Sequence, residues 1–225
     1  FAGPKRVRKS GIKLSDLPTI DLILVTHNHY DHLDLSSINE IYRRDKTTIL
    51  AGLGVKALIN ENIAGAKCLE MNWWDNYKLN ETLTVHFVPA RHFSGRGLFD
   101  RNKTLWGGFV LETHLGNIYI AGDTGWGTHF EQIKRKFKAI KISVLPVGAY
   151  KPIWFMGPVH LSPEEAIKAQ LLLSSEYGIG YHFGTFQLAD DAYQDPVLEI
   201  KSKIKNFSID PRRFLLLEEG VPRDF

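Results

Sequence analysis

The sequence predicts an α/β protein whose strands and surface helices pack as layers. Three observations carry that expectation. Short apolar, β-branched runs recur along the chain, from Asp21-Leu22-Ile23-Leu24-Val25 to residues 214–217, and read as buried strands. Segments with helical spacing of apolar residues lie between them, as at 36–44 and 196–207, and mixed elements of this kind pack as α/β layers. Finally, 225 residues at 44% hydrophobic content, without internal repeat or low-complexity linker, fit one large domain over residues 1–225 with a substantial core.

Taken in order, Gly3-Pro4-Lys5-Arg6 is loop-like, and Leu14-Ser15-Asp16-Leu17-Pro18 is a turn or short helical piece before the strand at 21–25. Residues 36–44 place Ile38, Ile41 and Tyr42 on one helical face. A strand at 47–51 stops at Gly52-Leu53-Gly54, and a helix follows at 55–60. Residues 69–74 and 83–89 read as strands, with Tyr77-Lys78-Leu79-Asn80-Glu81 turning between them. Residues 107–112 and 117–121 form a hairpin through Leu115-Gly116-Asn117. An amphipathic helix at 130–137 precedes a nearly all-apolar strand at 142–147. Ser162-Pro163-Glu164-Glu165 is a capping box with proline at the first helical position, opening a helix to about Glu176. A strand at 178–183, a helix at 196–207 and a strand at 214–217 complete the chain.

Composition narrows the function. The formal charge of +3 is mild, and the basic runs Lys5-Arg6-Val7-Arg8-Lys9 and Lys134-Arg135-Lys136-Phe137-Lys138 are too short to argue for nucleic acid. They read as solvated faces, with attraction to anionic lipid or phosphate the weaker reading. Cys68 is the only cysteine, which excludes an intramolecular disulfide framework and a cysteine-based zinc knuckle and favours a reducing, cytoplasmic setting. No run of about 18 apolar residues suits a membrane span. The chain opens at Phe1, so it offers no signal peptide to judge.

The chemistry concentrates after the first strand. Thr26-His27-Asn28-His29-Tyr30-Asp31-His32-Leu33-Asp34 places three histidines and an aspartate within six positions, 27–32. A cluster this dense is poor core filling, because imidazoles cost free energy to bury without partners. Histidine nitrogens with a carboxylate oxygen suit Zn²⁺. Steric reach prevents all four from serving one tetrahedral ion with an open site. Two ions sharing the cluster fit better, His27 and His29 on one, Asp31 and His32 on the other. Each then needs ligands from later in the chain. His92, Asp123 and His182 repeat one placement, a ligand type where a predicted strand leaves the sheet.

The run His27-Asn28-His29-Tyr30-Asp31-His32 resembles the HxHxDH signature of the metallo-β-lactamase-fold hydrolases, and His92, Asp123 and His182 match the order of their remaining ligands. Within that superfamily the chain is most similar to N-acylphosphatidylethanolamine-hydrolysing phospholipase D and its bacterial relatives. The similar segments include Gly3-Pro4-Lys5-Arg6, Trp73-Trp74, Leu105-Trp106-Gly107, Ala121-Gly122-Asp123-Thr124-Gly125, residues 146–150 with Trp154-Phe155-Met156, and His182-Phe183-Gly184-Thr185-Phe186. The resemblance implies an αββα sandwich with a dinuclear site at one edge. Members carry strands ahead of the Gly-Pro-Lys-Arg segment, so part of the first sheet is expected to be absent from the chain as given. It also implies that His27, His29 and His92 hold one Zn²⁺, that Asp31, His32 and His182 hold a second, and that Asp123 bridges. Mn²⁺ or Fe²⁺ also suit such a set.

The expected activity is hydrolysis of a phospholipid or other phosphodiester by a metal-activated hydroxide, with peripheral membrane contact and no nucleic acid. Asp31 is a candidate to orient the hydroxide, Arg96 to bind a substrate phosphate, and His160 to donate a proton to the leaving group. Arg96 as an exposed, solvated side chain and His160 as a structural imidazole are the plainer readings. His86 reads as solvent-facing or satisfied within its strand, while His114 and His129 fall in loop-like contexts without a role. Trp154, Phe155, Met156 and Phe186 are candidates to receive an acyl chain or meet a bilayer, with packing beneath a loop as the plainer alternative. A lactonase of a phosphorylated sugar lactone would use the same ligands, and paired substrate panels separate the two. An inactive metal-binding module is the alternative of another class, though inactive relatives are expected to lose ligands and all seven positions are filled here.

Overall fold

Among the residues described by the computed structural model, 4–225, ten strands form two sheets. Gly3 of the loop-like Gly3-Pro4-Lys5-Arg6 lies outside the described residues. The first sheet has the order β1-β2-β3, comprising Leu22–Val25, Thr48–Gly52 and Cys68–Met71, all parallel. The second has the order β10-β9-β8-β7-β6-β5-β4. Its strands are β4 (Asn76–Asn80), β5 (Leu83–Val88), β6 (Gly108–Thr113), β7 (Asn117–Ile120), β8 (Ile140–Pro146), β9 (Tyr177–Tyr181) and β10 (Phe214–Leu216).

Side-chain alternation sorts the strands into layers, because successive residues of a strand face opposite sides. On β2, Ile49 and Ala51 pack with Ile38 and Tyr42 of α1 (Leu35–Asp45) and with Val55 and Ile59 of α2 (Val55–Asn62). Leu50, between them, faces the other way and meets Val85, Phe87 and Phe109 of the second sheet. On β6, Val110 turns from that central core to join Phe130 and Ile133 of α3 (His129–Lys136), Ala166 and Ile167 of α5 (Pro163–Leu173), and Ile200 of α6 (Asp195–Asn206). The result is helix, sheet, sheet, helix: the αββα sandwich.

β5 and β6 are antiparallel, as are β6 and β7, whereas β7, β8 and β9 run parallel. The carboxyl ends of β5, β7, β8 and β9 therefore emerge along one edge. The carboxyl end of β1 is tied to the same edge, because Gly107 donates its N–H to the Thr26 carbonyl at 2.9 Å.

Three segments depart from the sequence reading. Tyr77-Lys78-Leu79-Asn80 is strand β4 rather than a turn, its alternating exposure hidden by polar residues on an edge strand. Ile153–Met156 forms a short helix, α4, whose exposed Trp154 and Phe155 offered no amphipathic period. The helix expected to reach Glu176 stops at Leu173, where Ser174 takes a left-handed conformation at φ 55°. His86 is buried on β5, with Nε2 2.8 Å from Glu112 Oε2 across the β5–β6 pair.

The capping box of α5 is present. Ser162 Oγ accepts the Glu165 N–H at 3.3 Å, and Glu165 Oε2 accepts the Ser162 N–H at 2.9 Å. Ser162→Ala is expected to cost about 1 kcal/mol, read as a lower urea midpoint with unchanged metal content. An unchanged midpoint would contradict the contribution assigned to the cap.

Candidate metal centre

Each candidate ligand sits where a strand leaves the shared edge: His27 after β1, His92 after β5, Asp123 after β7 and His182 after β9. The motif loop turns back on itself, with the N–H groups of His32 and Leu33 both donated to the His29 carbonyl. Asp34 ends the loop by accepting the Ser37 N–H at 2.7 Å, which caps α1. Gly122 has φ 64°, and a Cβ there would lie 2.7 Å from the Gly107 carbonyl oxygen. A side chain at 122 would thus push Asp123 off its turn. His182 itself takes φ 62°, a conformation that a residue with a Cβ adopts at a cost and that is concentrated at functional sites.

The nitrogens and oxygens of the seven candidates converge as two groups, and His160 forms a third, overlapping set with His92 and Asp123. His27 Nε2 is 2.9 Å from His29 Nδ1, which is 3.3 Å from His92 Nε2. In the second group, His32 Nε2 and His182 Nε2 each lie 3.3 Å from Asp31 Oδ2, and 3.1 and 3.2 Å from Asp123 Oδ2. Asp123 Oδ2 is also 3.9 Å from His27 Nε2 and 3.8 Å from His92 Nε2. One oxygen thus faces both groups. Within each group the ligand atoms lie no more than 4.8 Å apart.

The donors fit a cation better than they fit one another. Burial, foremost, holds His27 well below the ordinary imidazole value and lowers His29, and it takes His92 down to about 3 despite the opposing charge of Asp123. All three are neutral at pH 7, with lone pairs free to ligate. In the second group burial pulls the same way, but the carboxylates of Asp123 and Asp31 outweigh it and raise His32 to about 9 and His182 to about 10. The carboxyl of Asp123 is held well below its usual range, since His182 and His32 overcome the penalty of burial. Negative charge and proton-holding imidazoles facing one point mark a place for positive charge. Asp123 Oδ1 and His182 Nδ1 are buried without a hydrogen-bond partner among the described residues, a further sign that the polar cluster is incomplete by itself.

The surrounding contacts orient the ligands. His92 Nδ1 lies 3.0 Å from the Val159 carbonyl, which leaves Nε2 for a cation, and His27 Nδ1 lies 3.1 Å from Thr26 Oγ1. Thr124 Oγ1 accepts the Arg91 N–H at 2.9 Å and lies 3.1 Å from His129 Nε2. His129, without a role in the sequence reading, therefore supports the turn that carries Asp123. Buried Asn28 offers Oδ1 to the Gly95 N–H at 2.7 Å. Neither residue carried a signal of this: Asn28 meets a segment distant in sequence, and His129 reaches Thr124, five residues before it, only through the turn that leads into α3.

His160 joins the cluster. Its ring centroid is 5.0 Å from that of His92 and 5.6 Å from that of His182, and burial lowers it to about 4. Arg96 reaches the loop through Nη1, which donates to the carbonyls of Asn28 and Leu33, each at 2.9 Å. Its guanidinium lies 3.8 Å over the Tyr30 ring. Cys68 is buried, and burial pushes its thiol up to about 11, which makes it a poor nucleophile.

The profile of the β-lactamase superfamily domain matches residues 1–183. A Saccharomyces cerevisiae protein named N-acyl-phosphatidylethanolamine-hydrolyzing phospholipase D, mitochondrial, is 38% identical over 86% of this chain and 42% of its own. The Caenorhabditis elegans N-acyl-phosphatidylethanolamine-hydrolyzing phospholipase D 1 is 35% identical over 91% of this chain and 59% of its own. The chain thus spans about half the length of these curated relatives. Among solved structures, Igni18, a metallo hydrolase from Ignicoccus hospitalis, superposes with a TM-score of 0.70 at 24% identity, covering 90% of this chain and 78% of that one. With the domain profile matched across most of its length and the two-sheet sandwich in place, this chain belongs to the β-lactamase superfamily and has the metallo-β-lactamase fold.

Proposed function

We propose that the chain is a binuclear zinc-dependent phosphodiesterase of the N-acylphosphatidylethanolamine phospholipase D type. One observation carries the reading: seven ligand atoms fall into two groups that share Asp123 Oδ2. The names of the yeast and nematode relatives support the substrate class. His27, His29 and His92 hold the first ion, Asp31, His32 and His182 the second, and Asp123 lies between them. When bound, such a pair of cations supplies a water acidic enough to ionise near neutral pH and offsets charge that builds on the phosphate.

The chain's own residues supply the rest. Asp31 is the ligand nearest solvent and orients the attacking water. His160, standing against both groups and neutral at pH 7, offers its N–H as a hydrogen-bond donor to the leaving oxygen. Arg96 holds the motif loop through its two carbonyl contacts. Leu98 and Phe99 are 91% and 86% exposed, and Trp154 on α4 is 81% exposed. Apolar side chains this bare support contact with lipid at a membrane surface. Among the described residues no helix is long and apolar enough to cross a membrane.

Protein purified without added metal is expected to carry about two zinc ions per chain and to release phosphatidate from N-acylphosphatidylethanolamine, with a chelator abolishing the activity. A parallel panel of lactones should be poor substrates. Hydrolysis that persists at full rate in metal-free protein, or activity confined to lactones, would sink the assignment.

A further inference from the structure

Arg101 borders the metal centre from the cleft. It lines a cavity of about 680 Å³ together with His29, Asp31, Phe93, Leu98 and Phe186. Its guanidinium carbon lies 3.9 Å over the Phe93 ring. That ring in turn contacts His29 and His92, with centroids 4.6 and 4.7 Å apart. Phe93 is thus a floor with metal-ligand candidates on one part of it and a cation on another.

The backbone beneath Arg101 is tied down. Asp100 accepts the N–H groups of Gly97 at 2.8 Å and Arg96 at 2.9 Å. Asn102 donates its N–H to the Ser94 carbonyl at 2.9 Å, and Ser94 Oγ donates to the Thr104 carbonyl at 2.6 Å. A guanidinium held over a ring face keeps its N–H donors available to another acceptor. Among the described residues no hydrogen bond or ion pair engages those donors, whereas Arg8, Arg44, Arg91 and Arg96 all spend theirs on protein acceptors.

We propose that Arg101 is the anion receptor of the cleft, its guanidinium taking a phosphate oxygen of the substrate beside the metal centre. The proposal rests on the phosphodiesterase reading. Arg96 is less suited, since its Nη1 is already committed to two carbonyls. Arg6 also flanks the cleft, beside Asp31, His32 and His182, but it sits at 5.3 Å from the Phe186 ring and is held less closely. A planar fork fits phosphate better than a point charge does, so the two donors of Arg101 should matter as well as its charge.

The test compares metal-loaded wild type, Arg101→Ala, Arg101→Lys and Arg6→Ala. The readouts are hydrolysis of bis(p-nitrophenyl) phosphate and of neutral p-nitrophenyl acetate, and calorimetric binding of inorganic phosphate. Arg101→Ala should raise KM for the phosphodiester and weaken phosphate binding by about 10-fold, the low end for a charge-assisted contact at an exposed group. It should leave kcat, metal content and ester hydrolysis within about 2-fold, since nothing else in the protein leans on its donors. Arg101→Lys should recover part of the loss, and Arg6→Ala should lose less. Unchanged KM and phosphate binding in Arg101→Ala, equal damage to the ester, or the whole effect appearing in Arg6→Ala would each overturn the proposal. If wild type hydrolyses no phosphodiester, the phosphodiesterase reading fails, and the phosphate titration still decides whether Arg101 receives an anion.

Discussion

Asp123→Ala is expected to reduce bound zinc at both positions and to lower phosphodiester hydrolysis by about 10³-fold, the loss of several kcal/mol of charge stabilisation at 1.36 kcal/mol per decade. Asp123 Oδ2 lies 3.1–3.9 Å from four imidazole nitrogens belonging to both groups, so its loss reaches both positions at once. Its replacement also leaves four facing imidazoles without the carboxylate that offsets their mutual repulsion on protonation. Two narrower variants separate the groups. His92→Ala should empty mainly the position shared with His27 and His29, and His182→Ala mainly the one shared with Asp31 and His32. Elemental analysis of each purified variant reads the outcome. Two zinc ions and full activity in either histidine variant would show that the ligands are divided wrongly.

Phe87→Ala should cost about 3–5 kcal/mol of stability, the range for emptying an aromatic site in a core. Phe87 is fully buried between the sheets, its ring 5.0 Å from that of Phe109 and packed in the cluster that holds Leu50, Met71 and Val85. No helix covers this layer, because both of its faces are strands, so a void there has few flexible neighbours to fill it. The same strand delivers His92 five residues later. Weaker zinc retention under mild urea should therefore accompany the loss of stability. Urea unfolding of metal-free protein isolates the packing cost from the linkage to metal. A loss below about 1 kcal/mol would mean that the sheets close over the missing ring.

The order of strands and helices was legible in the chain because burial on one or both faces imposes a period on the side chains. Residues 21–25, 47–51, 83–89 and 142–147 show such apolar runs, and each lies where a strand forms. β4 carries no such run, because an edge strand exposed on alternate residues reads as polar chain. The motif at 27–32 is likewise local: ligands crowded into one loop are visible without coordinates, and a ligand type at each later strand end pointed to His92, Asp123 and His182.

The sequence by itself determined the fold class, the strand-and-loop placement of seven metal-ligand candidates and the absence of a cysteine framework. Only the tertiary structure decided which atoms face one another. That a single oxygen of Asp123 meets both groups depends on β1 being fastened to the carboxyl edge of the second sheet through Thr26 and Gly107. Arg96 and Arg101 are five residues apart and alike on paper. The fold turns one inward to clamp the motif loop and leaves the other over the Phe93 ring, its donors not engaged by any described residue. The physical reason is reach. Local pattern sets which face of an element is apolar, whereas a side chain's partner is chosen by segments brought alongside only when the sheets close.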